Sequence, residues 1–156
     1  MEAFVRAAQA DVWRLCAHLG DLDRADDLAQ DCFLRVLHSL KSFRGDAPVR
    51  PWLFTIVRRV AADDIAARQR RRREPVVARA EVAPDHQDAV TLQVLLEGLD
   101  VDRREAFVLT QVLGFSYVDA AAVVGCPIGT IRSRVARARE DLIDRLAPED
   151  GLDLAL

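Results

Sequence analysis

A chain of 156 residues, 51% hydrophobic and 30% charged, can bury a core but has room only for one domain or two small ones. Its 22 basic and 25 acidic side chains nearly cancel to a net charge of −3, so overall charge identifies no partner. No basic stretch followed by an apolar run opens the sequence, and no run of about 18 apolar residues occurs, so the chain reads as soluble and cytoplasmic, with neither signal peptide nor membrane span.

From Glu2 to Leu19, Phe4, Ala8, Val12, Leu15, Cys16 and Leu19 recur at helical spacing, and Gly20 is placed to end the helix. Asp23 is positioned to cap the next helix, whose apolar stripe is Ala25, Leu28, Ala29, Cys32, Phe33, Val36, Leu37 and Leu40. The polar turn Lys41 to Pro48 leads to a third helix opening near Arg50-Pro51, where proline is tolerated. Its stripe is Trp52, Leu53, Ile56, Val57, Val60, Ala61 and Ile65, and it ends in the arginine-rich stretch Arg68 to Arg73. Glu74 to Asp88, with Pro75 and Pro84 and no sustained periodicity, reads as a flexible linker.

A second helical set follows. Leu92, Leu95, Leu96 and Leu99 form one stripe, and Asp102 with Glu105 fits a capping box before Ala106, Phe107, Leu109 and Val112. Gly114 ends that helix; Ser116 with Asp119 starts another through Ala120, Val123 and Val124, stopped by Gly125. Pro127 stands at the start of the last long helix, and an acidic tail runs over residues 148–156. No stretch alternates strictly as a strand does, so the expected fold is all-α: two small helical domains on a linker.

Little in the sequence suggests chemistry. Cys16, Cys32 and Cys126 are an odd count without Cys-x-x-Cys spacing, which argues against disulfides and zinc; Cys16 and Cys32 fall on apolar faces, as small hydrophobes do. His18 and His38 lack ligand-spaced partners and read as surface or helix-end residues, with His86 in the linker. There is no Gly-x-Ser-x-Gly, no phosphate-loop glycine pattern and no metal-spaced cluster, so neither an enzyme nor a cofactor is expected.

Charge is unevenly distributed. Residues 48–73 carry eight basic and two acidic side chains, and residues 128–139 carry four basic and none acidic, whereas the rest of the chain is acidic. Of all the cations only Lys41 is a lysine; the others are arginines, whose planar forks suit phosphate and guanine. Two compact cationic islands point to two places where a polyanion is gripped.

The later island lies in a helix-turn-helix pattern spanning Ser116 to Arg139. At about 100° per residue, Ile131, Val135, Ala138 and Leu142 share one stripe and must face the core. Arg132, Ser133, Ala136 and Arg137 spread over the opposite face, with Arg134 and Arg139 flanking it within reach of phosphates. Arginine pairs bidentately with guanine, and small residues let a helix enter the major groove. In the earlier island, Arg58 and Arg59 precede the arginine run, with Phe43, Trp52 and Phe54 nearby. Bases of a single strand stack on such rings, but Trp52 at helical spacing with Ile56 is read as a core position in preference to an exposed one.

Three stretches resemble the extracytoplasmic-function (group 4) sigma factors of the bacterial sigma-70 family. Asp26-Asp27-Leu28-Ala29-Gln30-Asp31-Cys32-Phe33 looks like the family's D-L-x-Q-E-x-F helix. Phe43-Arg44-Gly45-Asp46 followed by Trp52-Leu53 looks like its F-R-G-x…T-W-L segment. Gly114 to Tyr117, then Gly125 to Arg134 and Arg137 to Arg139, look like its promoter-reading C-terminal region. The resemblance implies region 2 over residues 1–73, the linker over 74–88, region 4 over 89–147 and the tail beyond. It implies that Asp27, Gln30 and Asp31 dock on the β′ clamp helices of RNA polymerase, with the β flap as a second contact. It further implies that Phe43, Arg44, Gly45 and Asp46 capture unpaired bases of the −10 element while Arg58 and Arg59 hold that strand. Thr130, Arg132, Ser133, Arg134, Ala136 and Arg137 would face the −35 duplex. Such a protein binds core polymerase and promoter DNA, is a monomer when free, and in many relatives has an anti-sigma partner.

The sequence departs from the family pattern at several points. Many relatives carry Asn where Arg59 stands, which puts the −10 preference in question; Ala136 is smaller than the aromatic of some relatives; Pro51 replaces the usual Thr or Ser before Trp52. Relatives usually have another short helix upstream of the Phe4 segment. A dimeric helix-turn-helix regulator acting without core polymerase is the rival reading, since it would share Ser116 to Arg139 but not the match over residues 26–53.

Overall fold

The computed structural model describes residues 2–71 and 87–147, and these form helices, with no strand among the described residues. The first set comprises α1 (Glu2–Leu19), α2 (Ala25–Leu40) and α3 (Val49–Arg71); the second comprises α4 (Gln87–Glu97), α5 (Val101–Phe107), α6 (Tyr117–Val124) and α7 (Ile128–Leu146). Linker residues 74–86, Arg72, Arg73 and the tail lie outside the described residues. Gln87 and Asp88, expected in the linker, are the first turn of α4.

The stripes turn inward over most of their length; the side chain of Phe4, expected in the first of them, lies outside what is described. Val12, Leu15, Cys16 and Leu19 of α1 meet Ala25, Leu28, Ala29, Cys32 and Val36 of α2 and Leu53, Val57, Val60 and Ala61 of α3. Burying each large side chain contributes about 1.5–3 kcal/mol, enough to offset modest helix propensity. Leu37 departs from the expected stripe and is 44% exposed, because the α2 stripe turns away from the core near the helix end.

Two caps differ from expectation. A 3-10 turn, Leu22–Arg24, delivers the chain into α2, and the Ala25 amide already finds the Leu22 carbonyl, so Asp23 is not the cap. At α5 the cap is Asp100, whose carboxylate accepts the Asp102 amide at 3.1 Å. The side chains of Asp102 and Glu105 are thereby released for partners on other helices. At α6 the expected pair forms: Ser116 Oγ accepts the Asp119 amide at 3.0 Å and donates to its carboxylate at 2.8 Å. Gly125 ends α6 at φ 76°, a left-handed turn that a side chain would strain, and its amide bonds the Ala121 carbonyl at 2.8 Å.

Between α5 and α6 a π-helical turn, Val108–Val112, carries the chain to Gly114 (φ 69°) and sets Phe115 in the core. There Phe115 meets Phe54 of α3 edge to face, with ring centroids 4.9 Å apart. The two helical sets therefore pack on each other. His18 also belongs to that contact: expected at the surface or at a helix end, it lies in the last turn of α1 but is buried, and it donates from Nδ1 to Gln93 Oε1 of α4 at 2.9 Å, while Gln93 Nε2 donates to the Ala17 carbonyl. A histidine at a helix end is buried here because α4 closes over that end.

Candidate nucleic-acid and polymerase interfaces

The face of α7 is set by its own periodicity. Ile131, Val135 and Ala138 are buried, which leaves Arg132, Ser133, Ala136 and Arg137 exposed together on the opposite side, with Thr130 half-buried beside them. Ser133 Oγ donates to the Thr130 carbonyl at 3.1 Å, so the hydroxyl lies against its own helix. Arg134 is not aligned with that face. It is half-buried and donates to Asp102 at 2.6 Å, which fixes α7 against the start of α5. Arg139 donates to Gln111 at 2.7 Å from the other flank. The exposed strip is cationic, narrow and lined by small residues, the shape that a major groove admits.

In the first helical set, Asp27, Gln30 and Asp31 are exposed along α2. Beside them runs a groove between α1 and α2 lined by Trp13, Ala29, Phe33, Leu34 and Leu37. Leu34 is 51% exposed, and the indole of Trp13 donates to Asp26 at 2.9 Å. This apolar strip next to carboxylates was not singled out from the sequence; the only signal for it is that Leu34 lies off the core stripe.

Phe43 and Trp52 are half-buried, and their rings lie 4.6 Å apart at 42°. Trp52 thus sits between the core position and the exposed position that its spacing allowed. Arg44, Gly45 and Asp46 are exposed in the turn before α3, where Gly45 takes φ 78°. Arg59 is exposed and lines a shallow pocket with Arg35, His38, Ser39 and Ile56. Arg58 differs from its neighbour. Its Nε donates to Glu105 at 2.6 Å, across to the second helical set.

Glu105 is 5% exposed, and burial pushes its carboxyl pKa up, against the opposing pull of the Arg58 hydrogen bond. Arg50 makes a second crossing: it donates to the Leu113 carbonyl at 2.6 Å and to Asp11 at 3.1 Å, with its guanidinium 4.0 Å from the Phe115 ring centre. From the sequence Glu105 reads as part of a helix cap and Arg50 as a helix start, neither as a contact between the two helical sets. Among the described residues no group of three or more His, Cys, Asp or Glu is gathered as for a metal, and no helix is long and apolar enough to cross a membrane.

Two family models match the chain: sigma-70 region 2 over residues 4–72 and sigma-70 region 4 over residues 89–142. The chain is 46% identical over 157 aligned positions to the ECF RNA polymerase sigma factor SigC of Mycobacterium tuberculosis, covering 96% of this chain and 85% of that one. It is 40% identical to the ECF RNA polymerase sigma factor EcfG of Rhodopseudomonas palustris, covering 79% of this chain and 71% of the relative. Among solved structures, the sigma factor RpoE in complex with the anti-sigma factor NepR from Bartonella quintana superposes with a TM-score of 0.83 at 31% identity, over 95% of this chain and 97% of that one.

Proposed function

The chain belongs to the extracytoplasmic-function sigma factors of the sigma-70 family, and from that premise we propose which of its surfaces meet polymerase and which meet DNA. As a member of that family it directs core RNA polymerase to promoters and so initiates transcription. The polymerase makes the bonds; this chain supplies recognition and is not itself an enzyme. Its work lies in the cytoplasm, where polymerase and promoter are.

Residues 1–73 act as the polymerase-docking and −10-reading unit, the second helical set from Gln87 to residue 147 as the −35-reading unit, and residues 74–86 as their tether. Asp27, Gln30 and Asp31 meet the β′ clamp helices, with the apolar groove of Trp13, Phe33, Leu34 and Leu37 alongside adding buried area to a charged contact. Phe43, Arg44, Gly45 and Asp46 receive unpaired −10 bases, and Arg58 and Arg59 hold the strand through its phosphates. Arg132, Ser133, Ala136 and Arg137 enter the −35 major groove, with Thr130 and Arg134 at its edge. The β flap receives the second unit. The free protein is a monomer, and an anti-sigma protein of the kind bound by the Bartonella relative is a candidate partner.

The observation that carries this reading is the exposed strip of α7, two arginines with a serine and an alanine, on a helix whose other side is buried. Sequencing the 5′ ends of transcripts made by purified core polymerase with this subunit tests it. New start sites sharing elements upstream near −35 and −10 are expected; tight binding of a palindrome by the protein alone, without new start sites, would overturn it.

A further inference from the structure

The arginines that end α3 divide into two groups. Arg68 turns toward the protein: its Nε donates to Asp64 at 2.8 Å and its Nη1 to Asp21, and Asp64 also receives Arg24 at 3.3 Å. Arg70 and Arg71 are exposed, and among the described residues no carboxylate pairs with either. Arg70 Nε donates to the Ala66 carbonyl at 3.3 Å, which leaves both terminal nitrogens as a fork of the kind that suits a phosphate. A cation in the last turn steadies the helix dipole, but Arg68 already supplies one.

Arg70 shares a helix face with Arg59. Eleven residues make about three full turns, so the two side chains leave the same side of α3, about 16 Å apart along its axis. The surface between them is exposed and small, consisting of Ala62, Ala66 and Asp63, and the Asp63 charge is met by Arg35 of α2 at 3.1 Å. No bulky side chain there holds a nucleic-acid backbone away. The helix begins beside the turn of Phe43 to Asp46 and ends at the tether that leads to the −35-reading unit. Its last turn therefore lies upstream of Arg59, on the side where the DNA is paired. At 3.4 Å per base-pair step, the separation corresponds to about five base pairs.

We propose that Arg70, flanked by Arg71, grips phosphates of the paired DNA about five base pairs upstream of the −10 strand held by Arg59, so that one face of α3 bridges melted and duplex DNA. The inference rests on the assignment of Arg59 to that strand. Contacts of this kind read no base; they fix register, here the distance between the −10 surface and the end of the duplex.

Core polymerase carrying the full chain is the test system. The probe is a fluorescein-labelled fork, with promoter duplex from the −35 element to the edge of the −10 element and the non-template −10 strand as a 3′ overhang. Anisotropy titrations over a range of KCl give the slope of log K against log salt. Each arginine that neutralises a duplex phosphate contributes about 0.9 to that slope. Arg70→Ala should flatten it by about this amount, the double variant with Arg71→Ala should flatten it further, and Arg70→Lys should restore most of it. A neutral methylphosphonate about five base pairs upstream of the −10 strand should erase the difference between wild type and Arg70→Ala, whereas the same linkage elsewhere in the duplex should preserve it. An unchanged slope overturns the proposal and leaves Arg70 a solvated helix end. Equal flattening on the −10 strand without its duplex overturns it in favour of a single-strand contact. Loss of co-elution with core polymerase at unchanged slope replaces the duplex with a protein partner. The assignment of Arg59 is read separately, because Arg59→Ala should weaken binding of the −10 strand alone. Unchanged binding there removes that assignment, while the Arg70 slope on the fork still reports its own contact.

Discussion

Arg134 of α7 and Asp102 of α5 are joined at 2.6 Å, so one arginine of the cationic island braces the recognition helix while its neighbours Arg132 and Arg137 point away from the protein. The pair is partly exposed on both sides, which limits its value to about 0–1 kcal/mol. Arg134→Ala should lower the thermal midpoint of the chain slightly and weaken −35 binding less than Arg132→Ala. Melting curves and duplex titrations on the same two variants decide it; a larger binding loss for Arg134→Ala would return that residue to the DNA surface.

Arg132 stands on the exposed face with Ser133 and Ala136 adjacent. Replacing it with alanine should cost roughly 1–3 kcal/mol of discrimination at one −35 position. Competition among duplexes altered one base pair at a time measures this. Equal weakening on every duplex would mean that the guanidinium contacts phosphate instead.

Asp31 is exposed on α2 and lies away from the core stripe of Leu28, Cys32 and Val36. Asp31→Arg should leave the melting midpoint within about 0.5 kcal/mol of wild type in stability terms, as surface changes do, yet impair association with core polymerase. Co-elution with core enzyme and run-off transcription report on docking. Normal transcription with that variant contradicts the clamp assignment.

The helical pattern was legible because the buried stripes of α1, α2, α3 and α7 repeat at one period, and the Ser116–Asp119 start and Gly125 stop of α6 are local chemistry. Asp23 and the Asp102–Glu105 pair misled for a common reason. A carboxylate near a helix start fits a cap by spacing alone, but Asp102 and Glu105 are claimed by Arg134 and Arg58, which lie far away in sequence. The helix-end place of His18 was legible, but its burial was not, since only the approach of α4 covers it. Contacts between the two helical sets have no periodicity of their own, so the roles of Arg50, Glu105 and Phe115 in joining them could not be read from the sequence.

His18 gives the fold a response to acid whose sign follows from its burial. Burial lowers its pKa, with the Gln93 hydrogen bond opposing and Arg14 and Arg104 adding to the depression. Unfolded, the imidazole takes a proton near its ordinary value of about 6.5; folded, it resists until a lower pH. Between those two points the unfolded state binds more protons, so stability is full above about 6.5 and falls as pH drops through the window. Tm should therefore decline from pH 7.5 to 5, and His18→Gln should flatten that part of the decline. A variant whose curve parallels the wild type throughout would assign the acid sensitivity elsewhere.

Cys16 and Cys32 lie with their sulfurs 3.9 Å apart, buried between α1 and α2, while Cys126 is half-buried before α7. The Cys32 contact, together with burial, pushes the Cys16 pKa far above the ordinary thiol range, so the reactive thiolate is suppressed where access is also blocked. Iodoacetamide on the folded chain at pH 8 should label Cys126 alone, and Cys16 and Cys32 should label only when guanidinium unfolds the protein. Peptide mass spectrometry after timed quenching follows each site. Labelling of Cys16 at the rate of Cys126 would mean that α1 and α2 separate readily, and the core holding Asp27, Gln30 and Asp31 in line on α2 would then be far looser than its packing implies.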